Sequence, residues 1–343
     1  MDPVRLALVG CGKIGQKHLQ ALVHLPEAAL VATVDPDLEQ AEAAAVAFDA
    51  TPYADLEEAL AAAPLEAAII ATPSGMHPEL ARRCLERDLH VLVEKPLALS
   101  YREAQAVVGL ARRRNRVLAV THFNRFLPAV SRMLEVCQSG RIGRILTAEV
   151  VVAWNRPQSY YEEAAWRGTR AMDGGILFNQ AIHALDVLVQ AAGPAETAFA
   201  WSDTLNHQIE TEDALAGAVR FRSGALASVM ATTTVARANL EERIAVIGEH
   251  GAVAVGPTPS QLLYWRIEGE DEDAMRQAVA AAPSRTGWQS HWEALSDFVA
   301  AIRNQGVPAL SGESALPVLA LVEALTRSGR ERRVVPLSEV MAG

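Results

Sequence analysis

The stretch from Val4 to Gly15, VRLALVGCGKIG, constrains this chain more than any other. A short, mostly apolar strand runs straight into Gly-x-Gly-x-x-Gly, and a helical pattern continues through Leu25. A second apolar run, Ala28 to Val34, ends in Asp35, twenty residues past Gly15. In such a strand–turn–helix–strand unit Gly10 permits the tight turn, Gly12 lets the backbone approach a pyrophosphate, and Gly15 lets helix pack on strand. The helix start presents free N–H groups and a positive dipole end to phosphate. An acid at the end of the second strand accepts hydrogen bonds from the adenosine ribose and repels a 2′-phosphate. The residues that follow, Pro-Asp-Leu-Glu-Gln, offer no cation to receive one. The pattern predicts NAD rather than NADP, with Gly10, Gly12, Lys13, Ile14, Gly15 and Asp35 at the cofactor. S-adenosylmethionine, which also uses a glycine turn and a following acid, is the rival ligand.

The alternation continues. Strands are expected at 67–71, 90–93 and 117–121. Helices are expected at about 37–48, after a cap at Asp55, at 77–87, and after the capping box Ser100-Tyr-Arg-Glu103. Apolar strands alternating with amphipathic helices predict a parallel sheet covered on both faces, a Rossmann-type α/β domain over 1–122. Ligands of such sheets lie beyond the carboxyl ends of the strands. Thr72, Pro73, Ser74 and His77 follow one strand, and Glu94-Lys95-Pro96 follows the next. Thr72, Pro73, Ser74, His77, Glu94 and Lys95 are therefore further expected cofactor contacts.

Past residue 122 the pattern becomes β-rich: 145–154, 195–203, 212–222, 226–235 and 243–247, with turns at Arg222-Ser-Gly224 and Glu249-His-Gly251. This predicts an α+β domain over 123–343 with a large, mostly antiparallel sheet, closed by helices near 290–304 and 313–327. On a helix from Gly174 to Ala192, Asn179, His183 and Asp186 fall on one stripe, beside an apolar stripe of Phe178, Ile182, Leu185 and Val189. Taken alone, His183 reads rather as a helix-surface or satisfied core histidine. Trp154, Tyr160, Tyr161 and Trp166 can stack on a sugar or simply pack. Arg156 and Arg167 suit a carboxylate or phosphate.

Composition narrows the class. With a net charge of −10 the chain lacks the excess of cations that nucleic-acid or anionic-membrane binding needs. Cys11, Cys84 and Cys137 are isolated, which argues against disulfides and thiolate zinc, and the histidines show no ligand spacing, so no metal is expected. The apolar run before Cys11 is too short for a signal peptide, and no stretch is long enough to span a bilayer. A cytoplasmic protein is expected.

Several motifs together resemble the glucose–fructose oxidoreductase and inositol dehydrogenase (Gfo/Idh/MocA) family: GCGKIGQKH at 10–18, TPSGMH at 72–77, VEKPLALS at 93–100, NRF at 124–126, YYEEAAWRGT at 160–169, DGGILFNQAIHALD at 173–186, IETEDALA at 209–216 and IGEHG at 247–251. The resemblance spans nearly the whole chain, and the NQAIH and WRGT segments are similar to members acting on nucleotide sugars. It implies an NAD-dependent oxidoreductase moving a hydride between nicotinamide and a secondary hydroxyl of a sugar, nucleotide sugar or cyclic polyol. Lys95 and His183 would be catalytic, His183 as base. Asn124 would lie at the cofactor, and Arg125, Arg156, Tyr160, Trp166, Arg167 and Asn179 with Lys95 and His183 at the substrate. Where many members carry Asp, this chain has Asn179, which cannot ionise; Asp186 is expected to be structural. A homo-oligomer, dimer or tetramer, is expected on the second-domain sheet. A redox-elimination glycosidase and a non-catalytic NAD sensor remain alternatives at this point.

Overall fold

The structure, a computed structural model, describes residues 2–283, 285 and 287–343. Two compact units emerge: 1–98 with 103–123 and 286–316, and 99–102 with 124–285 and 317–343. A single cut after residue 122 does not describe them.

The first unit is built on β1 (Val4–Val9), α1 (Lys13–Leu22), β2 (Ala28–Val34), α2 (Leu38–Ala45), β3 (Thr51–Tyr53), α3 (Leu56–Ala62), β4 (Ala67–Ile70), α4 (His77–Glu86), β5 (His90–Val93), α5 (Tyr101–Arg114) and β6 (Leu118–Val120). Its six-stranded sheet runs β3-β2-β1-β4-β5-β6 with every pair parallel. The order reverses between β1 and β4, which opens a crevice beyond their carboxyl ends. Leu6, Leu8, Ile69 and Leu92 are fully buried, as strands covered on both faces require. Asp55 caps α3 by accepting from the Glu57 N–H at 2.7 Å. β3 escaped the sequence reading because three residues with a central proline carry no period. The helix Trp288–Arg303 belongs to this unit: Leu295, Phe298 and Val299 share a core cluster with Leu19 and Leu22 of α1. Its register is invisible in sequence because the partners lie some 270 residues apart.

The second unit holds α6 (Pro128–Gln138), β7 (Ile145–Ala153), α7 (Gln158–Glu162), α8 (Ile182–Ala192), β8 (Ala195–Asp203), β9 (Ala214–Phe221), β10 (Leu226–Thr232), β11 (Glu241–Gly248), β12 (Gly251–Val255), β13 (Leu262–Ile267), α9 (Glu272–Ala281) and β14 (Val335–Pro336). Eight strands run β13-β12-β11-β7-β10-β9-β8-β14. Only β7 and β10 pair in parallel. Both expected turns are hairpins, joining β9 to β10 and β11 to β12. β10 alternates strictly: Ala227, Val229 and Ala231 point inward, while Leu226, Ser228 and Met230 point outward. α8 packs against β7 and β11, and α6 against β12, on the inner face. The outer face carries Leu226, Met230 and Ile247 at 53, 38 and 45 % exposure, around a shallow cleft lined by Thr147, Glu149, Ser228 and Tyr264. Among the described residues no helix is long and apolar enough to cross a membrane.

Candidate active site

In the first unit the glycine turn has the close approaches that its spacing demands. Gly10 sits at φ +94°, and a Cβ there would meet the Ala71 carbonyl oxygen at 2.6 Å. A Cβ on Gly15 would lie 2.3 Å from the Gly10 carbonyl oxygen. Gly12 faces open space, with nothing within 4 Å of that position. Lys13 and Ile14 open α1 and are exposed. Asp35 is oriented by two backbone donors: Cys11 N–H to Oδ2 at 2.9 Å and Asp37 N–H to Oδ1 at 3.0 Å. Each oxygen keeps capacity for a ribose hydroxyl. Thr72 Oγ1 is buried with no hydrogen-bond partner among the described residues, and Pro73 and the buried Ser74 complete its loop. An open glycine cradle, an oriented acid and an orphaned hydroxyl at strand ends fit a dinucleotide. Gly10, Gly12, Gly15, Asp35 and Thr72 would hold it, supplying backbone N–H groups, a ribose acceptor and a hydroxyl.

Behind the Glu-Lys-Pro turn lies a buried polar network. Glu94 Oε1 meets His18 Nε2 at 2.8 Å and His291 Nε2 at 3.5 Å, and Oε2 accepts from Thr121 Oγ1 at 2.8 Å. The Lys95 N–H donates to the same Thr121 hydroxyl at 3.1 Å. Burial opposes ionisation of Glu94, but the His18 bond, the neighbouring histidines and Thr121 outweigh it and hold the carboxyl well below its usual range. Burial pushes His291 down to about 4, with Glu94 only partly offsetting this. His291 is thus neutral at pH 7, and the donors that keep Glu94 ionised are His18 and Thr121. Glu94 therefore serves the turn from within rather than reaching toward a ligand. The sequence reading found no metal-like cluster, yet here three donor atoms lie within 4.8 Å. The 2.8 Å contact is a hydrogen bond, closer than two ligands of one tetrahedral ion, which sit roughly 3.3 Å apart. His77, expected at the cofactor, has both ring nitrogens on backbone carbonyls: Nδ1 to Pro96 at 2.7 Å and Nε2 to Thr72 at 2.8 Å.

In the second unit the helix bearing the expected catalytic histidine is interrupted. Leu177–Ala181 forms a π turn that passes into α8 at Ile182. Such turns often mark functional positions, since they shift the facing of the side chains beyond them. Asn179 and His183 stay partly exposed, whereas Asp186 is buried at 1 %. Asn179 Nδ2 donates to Asp173 Oδ1, and Asp173 Oδ2 accepts from the Gly168 N–H at 3.1 Å. Asp186 is the buried partner of Arg125, with Nε to Oδ2 at 2.7 Å and Nη2 to Oδ1 at 2.5 Å. That bidentate pair turns the Arg125 fork away from substrate duty. Asn124 Nδ2 donates to Glu242 Oε1 at 3.3 Å, and burial, countered only in part by Asn124, pushes Glu242 up to about 7.

The aromatic and cationic residues form a ladder. The Arg156 guanidinium lies 4.9 Å from the Trp154 ring and 5.2 Å from Tyr160; that of Arg167 lies 4.1 Å from Tyr160 and 5.6 Å from Trp166. Tyr161 instead packs, its hydroxyl 3.0 Å from Thr233 Oγ1. Arg167 bonds the Tyr160 carbonyl and Glu163, while its buried Nε has no partner among the described residues.

Sequence reasoning missed His18, Thr121, His291, Asp173 and Glu212. His18 had a signal, a histidine on the buried face of α1 with Gly15, Leu19 and Leu22. Glu212 of the IETEDALA motif is pushed up to about 7 by burial, and its Oε1 has no partner among the described residues.

This fold and site define an NAD-binding oxidoreductase. A family model described as "Oxidoreductase family, NAD-binding Rossmann fold" matches residues 4–122, and one described as "GFO/IDH/MocA C-terminal domain" matches 130–254. The WlbA dehydrogenase from Bordetella pertussis, solved with NADH and UDP-GlcNAcA, is 34 % identical with a TM-score of 0.93, covering 98 % of both chains. D-apiose dehydrogenase of Paraburkholderia graminis is 28 % identical over 98 % of this chain and 90 % of its own. Inositol 2-dehydrogenase of Rhizobium meliloti is 26 % identical over 98 % and 99 %. The chain belongs to the Gfo/Idh/MocA family of NAD-dependent oxidoreductases.

Proposed function

We propose that the substrate is an anionic nucleotide sugar, oxidised at a secondary ring hydroxyl. The observation that carries this reading is the Trp154–Arg156–Tyr160–Arg167–Trp166 ladder. Two guanidinium groups interleaved with three aromatic rings suit a ligand that has both flat faces and fixed negative charge. Arg167, 12 % exposed and with one buried N–H unmet, would gain most from a carboxylate or phosphate. A neutral polyol needs neither cation. The NADH and UDP-GlcNAcA complex of the Bordetella pertussis relative supports the same class.

In this reading His183 accepts the hydroxyl proton as general base. Lys95 places its positive charge beside the oxygen as negative charge develops there. Asn179, fixed by Asp173, orients the hydroxyl or the His183 ring without ionising. NAD, when bound, supplies the hydride acceptor. Gly10, Gly12, Lys13, Ile14, Gly15, Asp35, Thr72, Pro73 and Ser74 bind the dinucleotide in this scheme. Two copies or more associate through the outer sheet face with its exposed Leu226, Met230 and Ile247, because an open apolar sheet face is unusual in a monomer.

The test is a substrate panel followed by NADH absorbance. UDP-GlcNAcA should give a kcat/KM at least tenfold above myo-inositol or D-apiose, and Arg167→Ala should remove that advantage. Equal or faster turnover of the neutral polyols would overturn the reading.

A further inference from the structure

His77 stands at the first turn of α4 with 1 % exposure. Its Nδ1 lies 2.7 Å from the Pro96 carbonyl oxygen and its Nε2 2.8 Å from that of Thr72. A peptide carbonyl oxygen only accepts. A neutral imidazole owns one N–H, so one of these contacts would set a ring lone pair against a carbonyl lone pair at hydrogen-bond distance, out of reach of water. Two short contacts to two acceptors call for two donors, and only the imidazolium has both.

We propose that His77 is held as an imidazolium, a buried cationic strap that donates one N–H to the loop after β4 and the other to the turn after β5. Its second carbonyl belongs to Pro96, directly after Lys95, and Thr121 holds the Lys95 N–H from the other side. The strap makes His77 a positioning residue for Lys95 and for the Thr72 loop. Burial is the largest influence on the ring and favours the neutral form; Lys95 and the N-terminal end of α4 act in the same direction. The Pro96 and Thr72 carbonyls and the Glu94 carboxylate act against them. Donor arithmetic settles the balance: in the neutral ring a change of tautomer only moves the repulsive contact from one carbonyl to the other, and a ring flip, which puts Cδ2 and Cε1 where the nitrogens stand, gives up both hydrogen bonds. The Glu94 carboxylate, kept ionised by His18 and Thr121, offsets part of the buried positive charge.

The proton is directly observable. The full-length protein labelled with nitrogen-15 histidine is measured at pH 7 and at about pH 8.5, two units above the ordinary histidine value of about 6.5. We expect one histidine with both ring nitrogens protonated at both pH values, and its signals vanish in His77→Gln. A wild-type spectrum with no doubly protonated ring at the higher pH overturns the proposal without any variant having to fold. So does a doubly protonated ring that survives in His77→Gln. A second arm rests on the role given to Lys95: His77→Gln should lower kcat about tenfold and shift the alkaline limb of the kcat/KM profile, while NAD still binds. An unshifted profile removes the link to Lys95; the spectrum alone decides the charge.

Discussion

The two units build their candidate binding surfaces from different materials. In the first, the work is done by backbone: a glycine turn, carbonyls joined by His77, and an aspartate aligned by two N–H groups. In the second, long side chains do it: an arginine–aromatic ladder, an asparagine held by Asp173, and a histidine just past a π turn. Backbone geometry tolerates few substitutions and suits a cofactor shared across a family. Side chains are exchangeable, in keeping with one scaffold shared by relatives named inositol 2-dehydrogenase, D-apiose dehydrogenase and WlbA dehydrogenase.

If this contrast holds, disturbances of the second unit divide into structural and chemical kinds. Arg125→Ala takes from the buried Asp186 carboxyl its bidentate partner, so it should destabilise by about 3–5 kcal/mol, read as a lowered denaturation midpoint. Replacing both with apolar residues of similar size should recover much of the loss. A near-neutral Arg125→Ala would mean that the pair is not structural and that the guanidinium is available to substrate.

Glu212 gives a pH signature. Its pKa is raised from 4.5 to about 7 in the fold. The stability this confers is full below pH 4.5 and is lost as pH rises through about 7, since the unfolded chain ionises first. Glu212→Gln should therefore be more stable than wild type above pH 7, by up to about 3 kcal/mol at roughly 1.4 kcal/mol per pH unit of displacement, and no more stable near pH 4. Thermal melts across that range check it; a gain confined to acid pH would reverse the sign and discard the account.

Lys95→Ala probes the chemistry at the first unit's edge. Turnover should fall by about 10²-fold, roughly 2.7 kcal/mol, with the fold and NAD affinity nearly intact. His183→Ala should do likewise, and on the proposed mechanism the double variant should lose less than the sum. Strict additivity would separate the two halves of the mechanism. The smallest effect concerns Asp35. NAD should bind at least tenfold tighter than NADP, about 1.4 kcal/mol, and Asp35→Ser should erase the difference. Titration giving equal affinities for wild type would show that Asp35 does not face the ribose.

Much of the first unit could be read in the chain because its signals are local: β1, β2, β4 and β5 are short apolar runs, and the glycines stand close together in one continuous stretch. The β-rich character of the second unit was equally legible, yet β12 and β13 went unread, although Gly256-Pro-Thr-Pro-Ser260 marks the turn between them. Arg125 read as a substrate group because nothing near it in sequence announces Asp186, 61 residues away.

By itself the sequence determined the class of fold, the dinucleotide turn, the acid that follows β2 and the identity of the family, since each is carried by short runs of residues. Only the tertiary structure decided that 286–316 completes the first unit, that Glu94 is clasped by His18 and Thr121, and that His77 bridges two carbonyls. The reason is physical: a buried polar atom must find a partner, and which partner it finds depends on what the folded chain brings within 3 Å, not on what stands beside it in sequence.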